Sequence, residues 1–274
     1  MLLALVALAS ACAQDPRELV RLSIAQDQLD WVRMKDYTWQ ASSVEHHFDS
    51  HGKVQSTKQE AWETLILHGE PHRRMLERDG RPLNPEEQLK EQQKLDHAGA
   101  RLNGETPAEQ QRRLEDSEKR RRREFAFLSE IPELFDLRLE GESAIEGRKV
   151  WKVCGAPRAG AQPKSHDAKV LLKIRGCMWI DQATYQWARV EGETTDTISW
   201  GLFLARLNPG ARLVFEQTEV TPDLWLPKRL FIAGSGHVGF VKRLAEDQEI
   251  LWTRYRKFSV DSKIVTGAPE PLQY

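Results

Sequence analysis

The sequence has no apolar run of the roughly 20 residues that a membrane-spanning helix takes; its one marked apolar stretch is confined to residues 1–13. It has almost no net charge. Forty lysines and arginines against 41 aspartates and glutamates leave −1, with a pI near 6.7. That excludes a general nucleic-acid binder, whose affinity rests on uncompensated positive charge. Cysteine is scarce, with three in 274 residues and none at metal-site spacing. Catalytic motifs are missing too. No serine sits in a G-x-S-x-G elbow, and neither Cys154 nor Cys177 lies in a motif that marks a nucleophile. Gly234-Ser235-Gly236 has no helix signal after it, so it reads as a hairpin turn and not as a phosphate loop. Asp181 and Glu191 are spaced too widely along their hairpin for a carboxylate pair. There is no internal repeat. These absences together predict a protein without catalytic residues, cofactor or metal, and without a nucleic-acid partner.

What is present begins with residues 1–13, Met-Leu-Leu-Ala-Leu-Val-Ala-Leu-Ala-Ser-Ala-Cys-Ala. A short apolar segment ending in small residues matches the core and cleavage site of a secretory signal. Two outcomes stay open: cleavage after Ala11-Cys12-Ala13, or lipidation of Cys12 in the lipobox-like Ala9-Ser10-Ala11-Cys12. A buried N-terminal helix is the structural alternative. Export implies an oxidising compartment, where Cys154 and Cys177 are able to bridge. In a direct hairpin between their strands they would not lie opposite each other, so pairing stays open.

Residues 14–265 read as one domain, followed by a flexible tail at 266–274. Asp15-Pro16-Arg17-Glu18 is a capping box with proline at the first helical position. It predicts a helix to about Asp36 with Leu19, Leu22, Ile24, Leu29 and Val32 on its apolar face. Tyr37–Phe48 and Val54–His68 predict a long hairpin about an Asp49–Lys53 turn, followed by a short strand from Arg73 to Glu77. Residues 84–128 change character. Asn84-Pro85-Glu86-Glu87 and Thr106-Pro107-Ala108-Glu109 each start a helix, and apolar residues there are sparse. This predicts a polar helical insertion or lid on the surface. From Phe135 to Phe258 the expected strands are Lys149–Cys154, Lys169–Ile180, Tyr185–Glu191, Thr195–Leu207, Arg212–Val220, Trp225–Ala233, Val238–Leu244 and Ile250–Phe258. Turn chemistry separates them, as in a meander, sandwich or barrel-like sheet.

Three constellations have chemical potential. His46, His47 and His51 cluster near the first hairpin, but neighbours on a strand point to opposite faces, and a zinc site needs three or four converging ligands. They read as histidines on a polar hairpin. The run Lys119–Arg123 follows Glu115, Asp116 and Glu118, so it reads as a solvated helix face with i,i+4 pairing. An acidic lipid head group is the partner it would suit. The third is aromatic. Nine tryptophans, most on predicted strands, offer either core packing or the lining of an apolar pocket.

Val150-Trp151-Lys152-Val153, then Met178-Trp179-Ile180-Asp181 with Thr184 and Arg189-Val190-Glu191, then Leu224-Trp225-Leu226-Pro227 come in a distinctive order. This order resembles the LolA-like outer-membrane lipoprotein-sorting superfamily and its periplasmic relatives, in which the phrase WID..T....R.E and a later LP strand recur. The resemblance spans roughly Phe135–Phe258 with the first helix and hairpin. It implies an α+β fold: one strongly curved antiparallel sheet, an incomplete barrel, with an N-terminal helix. It implies a periplasmic, non-catalytic carrier of lipid or lipoprotein acyl chains. The candidate lining is Trp39, Trp62, Trp179, Trp200, Leu202, Phe215, Trp225 and Leu226. The helical insertion departs from the basic carrier pattern and suits a docking device, so an envelope sensor or interaction module is the alternative. A hydrolase with a site assembled from distant residues is the third reading. Association with the membrane would be peripheral, or through Cys12.

Overall fold

The structure is a computed structural model, and it describes residues 14–200, 205–238 and 242–258. Helix α1 spans Pro16–Arg33, and Asp15 caps it by accepting the Arg17 N–H. Strands β1 (Tyr37–Phe48), β2 (Val54–Leu67), β3 (Glu70–Arg78) and the short β4 (Arg81–Pro82) follow as a meander. Asp49 shapes the first turn, its side chain accepting the N–H groups of His51 and Lys53.

The polar segment folds as two capped helices, α2 (Pro85–Asn103) and α3 (Pro107–Ala126). In each, the cap residue and the glutamate three positions on satisfy each other's backbone N–H, so both reciprocal boxes close. The short α4 (Ile131–Leu134) leads into β5 (Phe135–Ile145) and β6 (Arg148–Pro157). Then come β7 (Ile174–Asp181), β8 (Trp187–Thr194), β9 (Ile198–Trp200), β10 (Ala205–Leu207), β11 (Arg212–Thr221), β12 (Leu224–Val238) and β13 (Lys242–Lys257).

All strands pair antiparallel in one sheet of order β4-β3-β2-β1-β13-β12-β11-β8-β7-β6-β5, and β9 and β10 branch from β12. Among the described residues β4 and β5 do not pair with each other, so the sheet is not closed. The fold is the α+β curved-sheet architecture with an N-terminal helix and a polar helical insertion. Two neighbours on this path are not consecutive in the chain: β8 pairs with β11, and β1 pairs with β13, which joins the first hairpin to the last described strand.

The pattern of strands differs from the sequence expectation in three places. Lys169–Ile180 is not strand throughout: Asp167–Lys173 is a 3-10 turn that buries Ala168 and Leu171, and the strand starts at Ile174. Thr195–Leu207 breaks into β9 and β10, with Ala205 opposite Trp200. Gly234-Ser235-Gly236 is not a turn. It lies inside β12, where a Cβ on Gly236 would come within 2.1 Å of the Arg206 carbonyl oxygen. Glycine there serves the close approach of β10 and not a reversal of chain. Val238 ends β12 and pairs with Lys242 at the start of β13, and residues 239–241 of the expected strand Val238–Leu244 lie outside the described residues.

The cysteines also depart from expectation. Cys154 lies directly opposite Cys177, and the two are bridged, with their Cα atoms 4.0 Å apart. The segment between them is a loop and a 3-10 turn and not a tight hairpin tip, so it does not dictate the register that simple counting assumes.

Candidate functional site

α1 lies across one face of the sheet, and its contacts reach β5, β7, β8 and β12. Leu19, Val20 and Ile24 pack there against Trp151 and Val153 of β6, Met178 and Ile180 of β7, and Trp187 of β8. Phe215 of β11 joins them, its ring edge-on to Trp187 at 6.4 Å. This is the main apolar face of the molecule, and a helix of the same chain covers it.

That helix is not the apolar one its sequence suggests. Leu29 is 52% exposed, whereas Ser23, Asp27 and Asp30 are each 2% exposed or less. Spacings of four and three residues place these three polar side chains on one stripe, aimed at the sheet. Asp27 Oδ1 accepts from the Gln217 amide at 2.7 Å. Asp30 Oδ2 accepts from the Gln186 amide at 2.6 Å and from the Trp225 backbone N–H at 2.9 Å. Arg33 stands 3.5 Å from the other Asp30 oxygen. Among the described residues Ser23 Oγ, Gln186 Oε1 and Gln217 Oε1 have no hydrogen-bond partner, and Asp27 Oδ2 makes none of good geometry.

Burial is the dominant electrostatic influence. It pushes the Asp27 carboxyl up to about 7, against the Gln217 amide and, more weakly, the Trp187 and Trp31 indoles, while the neighbouring Asp30 adds to the rise. Burial raises Asp30 as well, opposed by the Trp225 N–H, Gln186 and Arg33. α1 is tied in turn to the helical insertion: Trp31 stacks on Phe125 of α3 at 4.7 Å.

The residues expected to line one pocket divide among different places. Phe215 lies under α1. Leu226, 1% exposed, packs with Met34 and Tyr37, and Trp39 joins that cluster beside Tyr255. Trp62 is buried in the first meander beneath the Arg73 guanidinium, 3.6 Å from its ring centre. Trp179 and Trp225 belong to a separate cluster with Val150 and Ala188. By strand alternation Val150 and Trp179 face away from Trp151 and Ile180. The Trp200 backbone pairs with Ala205, Leu202 lies outside the described residues, and so does Cys12. The aromatic count misled because strand alternation sends near neighbours to opposite faces. The signal that pointed to the site was the polar stripe of α1.

The phrases behind the family resemblance have structural work. Asp181 is 1% exposed and accepts from the Ala183 and Thr184 N–H groups, from the Thr184 hydroxyl and bidentately from Arg148. Burial works against its charge, but Arg148 and Thr184 outweigh it and hold the carboxyl below the usual range. Arg189 bridges Glu191 on its own strand and Glu216 of β11. These residues lock the β7–β8 turn and the β8–β11 ladder.

The described cavities lie elsewhere. One of about 820 Å³ is lined by the Cys154–Cys177 bridge, Arg138, Arg175, Arg212, Glu191, Glu193 and the apolar Val214 and Phe231. A second, of about 600 Å³, sits among Lys119, Arg120 and Arg123 of α3 with Asp116 and Asp167. A third, of about 470 Å³, is lined by Trp179, Arg189 and Lys228 among others. None of the three is lined by a histidine, so they do not bring an imidazole, a carboxylate and a nucleophile together. No described helix is long and apolar enough to cross a membrane.

No protein-family model matches the chain, and no curated protein matches it. Several solved structures are similar to it. A domain from Vibrio parahaemolyticus named for outer membrane lipoprotein sorting is 11% identical, over 89% of this chain and 94% of that one, with a TM-score of 0.35. A LolA superfamily protein from Nitrosomonas europaea is 9% identical, over 93% and 99%, at 0.33. A DUF1329 family protein from Desulfovibrio piger is 13% identical, over 91% and 96%, at 0.35.

Proposed function

We infer that the chain is an exported, non-catalytic binding protein of the periplasm that takes up lipid or lipoprotein acyl chains on the apolar sheet face beneath α1. The observation that carries this reading is the mismatch between cover and face. Trp151, Val153, Met178, Ile180, Trp187 and Phe215 form an apolar surface, yet its cover brings Ser23, Asp27 and Asp30. A buried polar group without its partner costs about 1–3 kcal/mol, so α1 is a costly occupant. An acyl chain has no such groups and gains about 0.8 kcal/mol per buried methylene. Ten methylenes then contribute about 8 kcal/mol, set against a helix seated through three apolar side chains and the hydrogen bonds of Asp27 and Asp30 to Gln217, Gln186 and the Trp225 N–H.

The pathway is displacement. α1 swings out, its acids return to water, and the ligand takes the place of Leu19, Val20 and Ile24. Release reverses the exchange and needs no chemistry. The experiment is uptake of a fluorescent fatty-acid probe by delipidated protein, with native mass spectrometry of protein purified from membranes. Saturable uptake that competes with unlabelled fatty acid is expected. Absence of both bound lipid and probe uptake refutes the reading.

The Trp31–Phe125 stack favours a second reading, an envelope interaction module in which α2 and α3 pass the position of α1 to a partner protein. Deleting residues 84–128 separates the two. Loss of a captured envelope partner with probe uptake intact supports the module, and loss of uptake alone supports the carrier.

A further inference from the structure

The β1–β13 ladder holds a cluster that neither the fold nor the acyl-binding reading uses. His47 Nδ1 lies 2.8 Å from Glu246 of β13, and its Nε2 lies 3.0 Å from Glu45. Glu45 and His47 are two apart on one strand and so share a face, and Glu246 is the direct cross-strand neighbour of His47. One ligand atom from each of the three lies within 4.8 Å of the others, and all three residues are half-buried.

A neutral imidazole has one N–H and one lone pair. Set between two carboxylates, it satisfies one and turns its lone pair on the other. A cation shared by the three side chains would meet both carboxylates and the imidazole lone pair. The geometry points to a divalent transition-metal site formed by one nitrogen of His47 and one oxygen each from Glu45 and Glu246. Nitrogen with two carboxylate oxygens suits zinc-like ions. Bond lengths near 2.0–2.2 Å set neighbouring ligand atoms roughly 3.3 Å apart; here the three ligand atoms lie within 4.8 Å of one another, and because the carboxylates face opposite ring nitrogens, one glutamate must rotate to the nitrogen that the other faces.

The surroundings are consistent with this. Gln248 lies opposite Glu45 across the ladder, and the nearby Lys58 is engaged by Glu60 at 3.1 Å. His46 belongs to the opposite face, where it pairs with Asp247 at 2.7 Å. The cluster is invisible to sequence spacing because Glu246 arrives 199 residues after His47. Its position gives the ion a role. β1–β13 is the union between the first hairpin and the end of the chain, so an ion here clasps that seam and stabilises the fold in proportion to occupancy.

The test is titration of the full mature chain with ZnCl2 by calorimetry, with thermal unfolding in zinc and in EDTA, on wild type, His47→Ala, Glu246→Gln, His46→Ala and His51→Ala. One saturable site is expected, lost in His47→Ala, weakened about tenfold or more in Glu246→Gln, and kept in the other two. Zinc should raise the melting temperature of the wild type only where the site is intact. Glu246→Gln preserves side-chain shape, so its circular dichroism and apo melting check that loss of binding is not loss of fold. No saturable binding, or binding in His47→Ala equal to wild type, overturns the proposal, as does a loss that is the same for His46→Ala as for His47→Ala.

Discussion

Replacing Asp27 with asparagine isolates the electrostatic cost of seating α1. The carboxyl is raised from 3.8 to about 7 in the folded chain. A raised acid contributes stability that is fully present below 3.8 and lost as pH climbs through 7. The gap is worth about 4 kcal/mol in total at 1.36 kcal/mol per pH unit. Between pH 5 and pH 8 the linkage integral gives a loss of roughly 2.5 kcal/mol. Asparagine keeps the oxygen that accepts from Gln217 and cannot ionise, and the cost of its amide N–H facing the Trp187 and Trp31 indoles does not change with pH. The variant therefore has a constant offset from wild type plus a term that grows with pH. Urea unfolding at pH 5, 6, 7 and 8 measures it. The stability of Asp27→Asn relative to wild type should rise by roughly 2–3 kcal/mol across the series, or some 5–10 °C in melting temperature for a chain of this size. The same variant seats α1 more firmly at high pH, so its uptake of acyl probe at pH 8 should fall below wild type. A stability difference that stays flat from pH 5 to pH 8 refutes the argument, because Asp27 then does not change its ionisation on folding.

Further outcomes follow from other contacts. Trp31→Ala removes the stack on Phe125 and should speed uptake of a fatty-acid probe in stopped-flow, with overall stability lowered by about 1 kcal/mol. Asp181→Ala deprives Arg148 and the β7–β8 turn of a shared buried acceptor, and a loss of about 3–5 kcal/mol is expected in urea unfolding. Cys154→Ala with Cys177→Ala opens a loop with a sequence separation of 23 and should cost about 3 kcal/mol by the same measurement. Gly236→Ala places a methyl against the Arg206 carbonyl and should lower the melting temperature by several degrees, whereas Gly147→Ala has open space and is limited by its positive φ alone.

How much of this was legible in sequence depended on the range of the interactions. The three helix starts were, because each is written in four consecutive residues: Asn84-Pro85-Glu86-Glu87 and Thr106-Pro107-Ala108-Glu109 close their boxes, and Asp15 caps α1 through the Arg17 N–H, although Glu18 turns to Arg21 and the expected box there does not close. The first hairpin was legible for the same reason, through Asp49 and its two backbone donors. Long-range features were not. Glycine at 234 and 236 looks like a turn until β10 is known to press on it. The α1 stripe looks wrong as a core until Gln186, just before β8, and Gln217 of β11 are seen to meet it. The tryptophans were grouped by composition, but each strand's alternation sends them to separate faces.

The motif phrases and the polar stripe bear differently on function. Asp181, Thr184, Arg189 and Glu191 fix a turn and a ladder. Any ligand of this sheet would leave them untouched, so a resemblance built on them speaks for the frame and is silent about what the frame holds. On the buried side of α1, Asp27 and Asp30 supply the acceptors for Gln217, Gln186 and the Trp225 N–H, at the cost of burying two carboxylates. Apolar residues at both ends of these side-chain contacts would pack the same face and avoid the cost of desolvation. A helix meant only to close the core would gain from that change. The polar residues make sense for a helix that must also leave, because in the open state the acids are hydrated and the exposed helix is soluble. The prediction that separates the two roles is Asp27→Leu combined with Gln217→Leu, which removes the carboxyl and its amide donor together. If α1 is a fixed core element, the double substitution stabilises the chain above pH 7 and does nothing else. If α1 is the displaceable cover, the same stabilisation comes with weaker probe uptake, and the two effects scale together from pH 5 to pH 8 as the wild-type carboxyl ionises. Stabilisation with unchanged uptake across that range would show that the ligand face is not the one beneath α1.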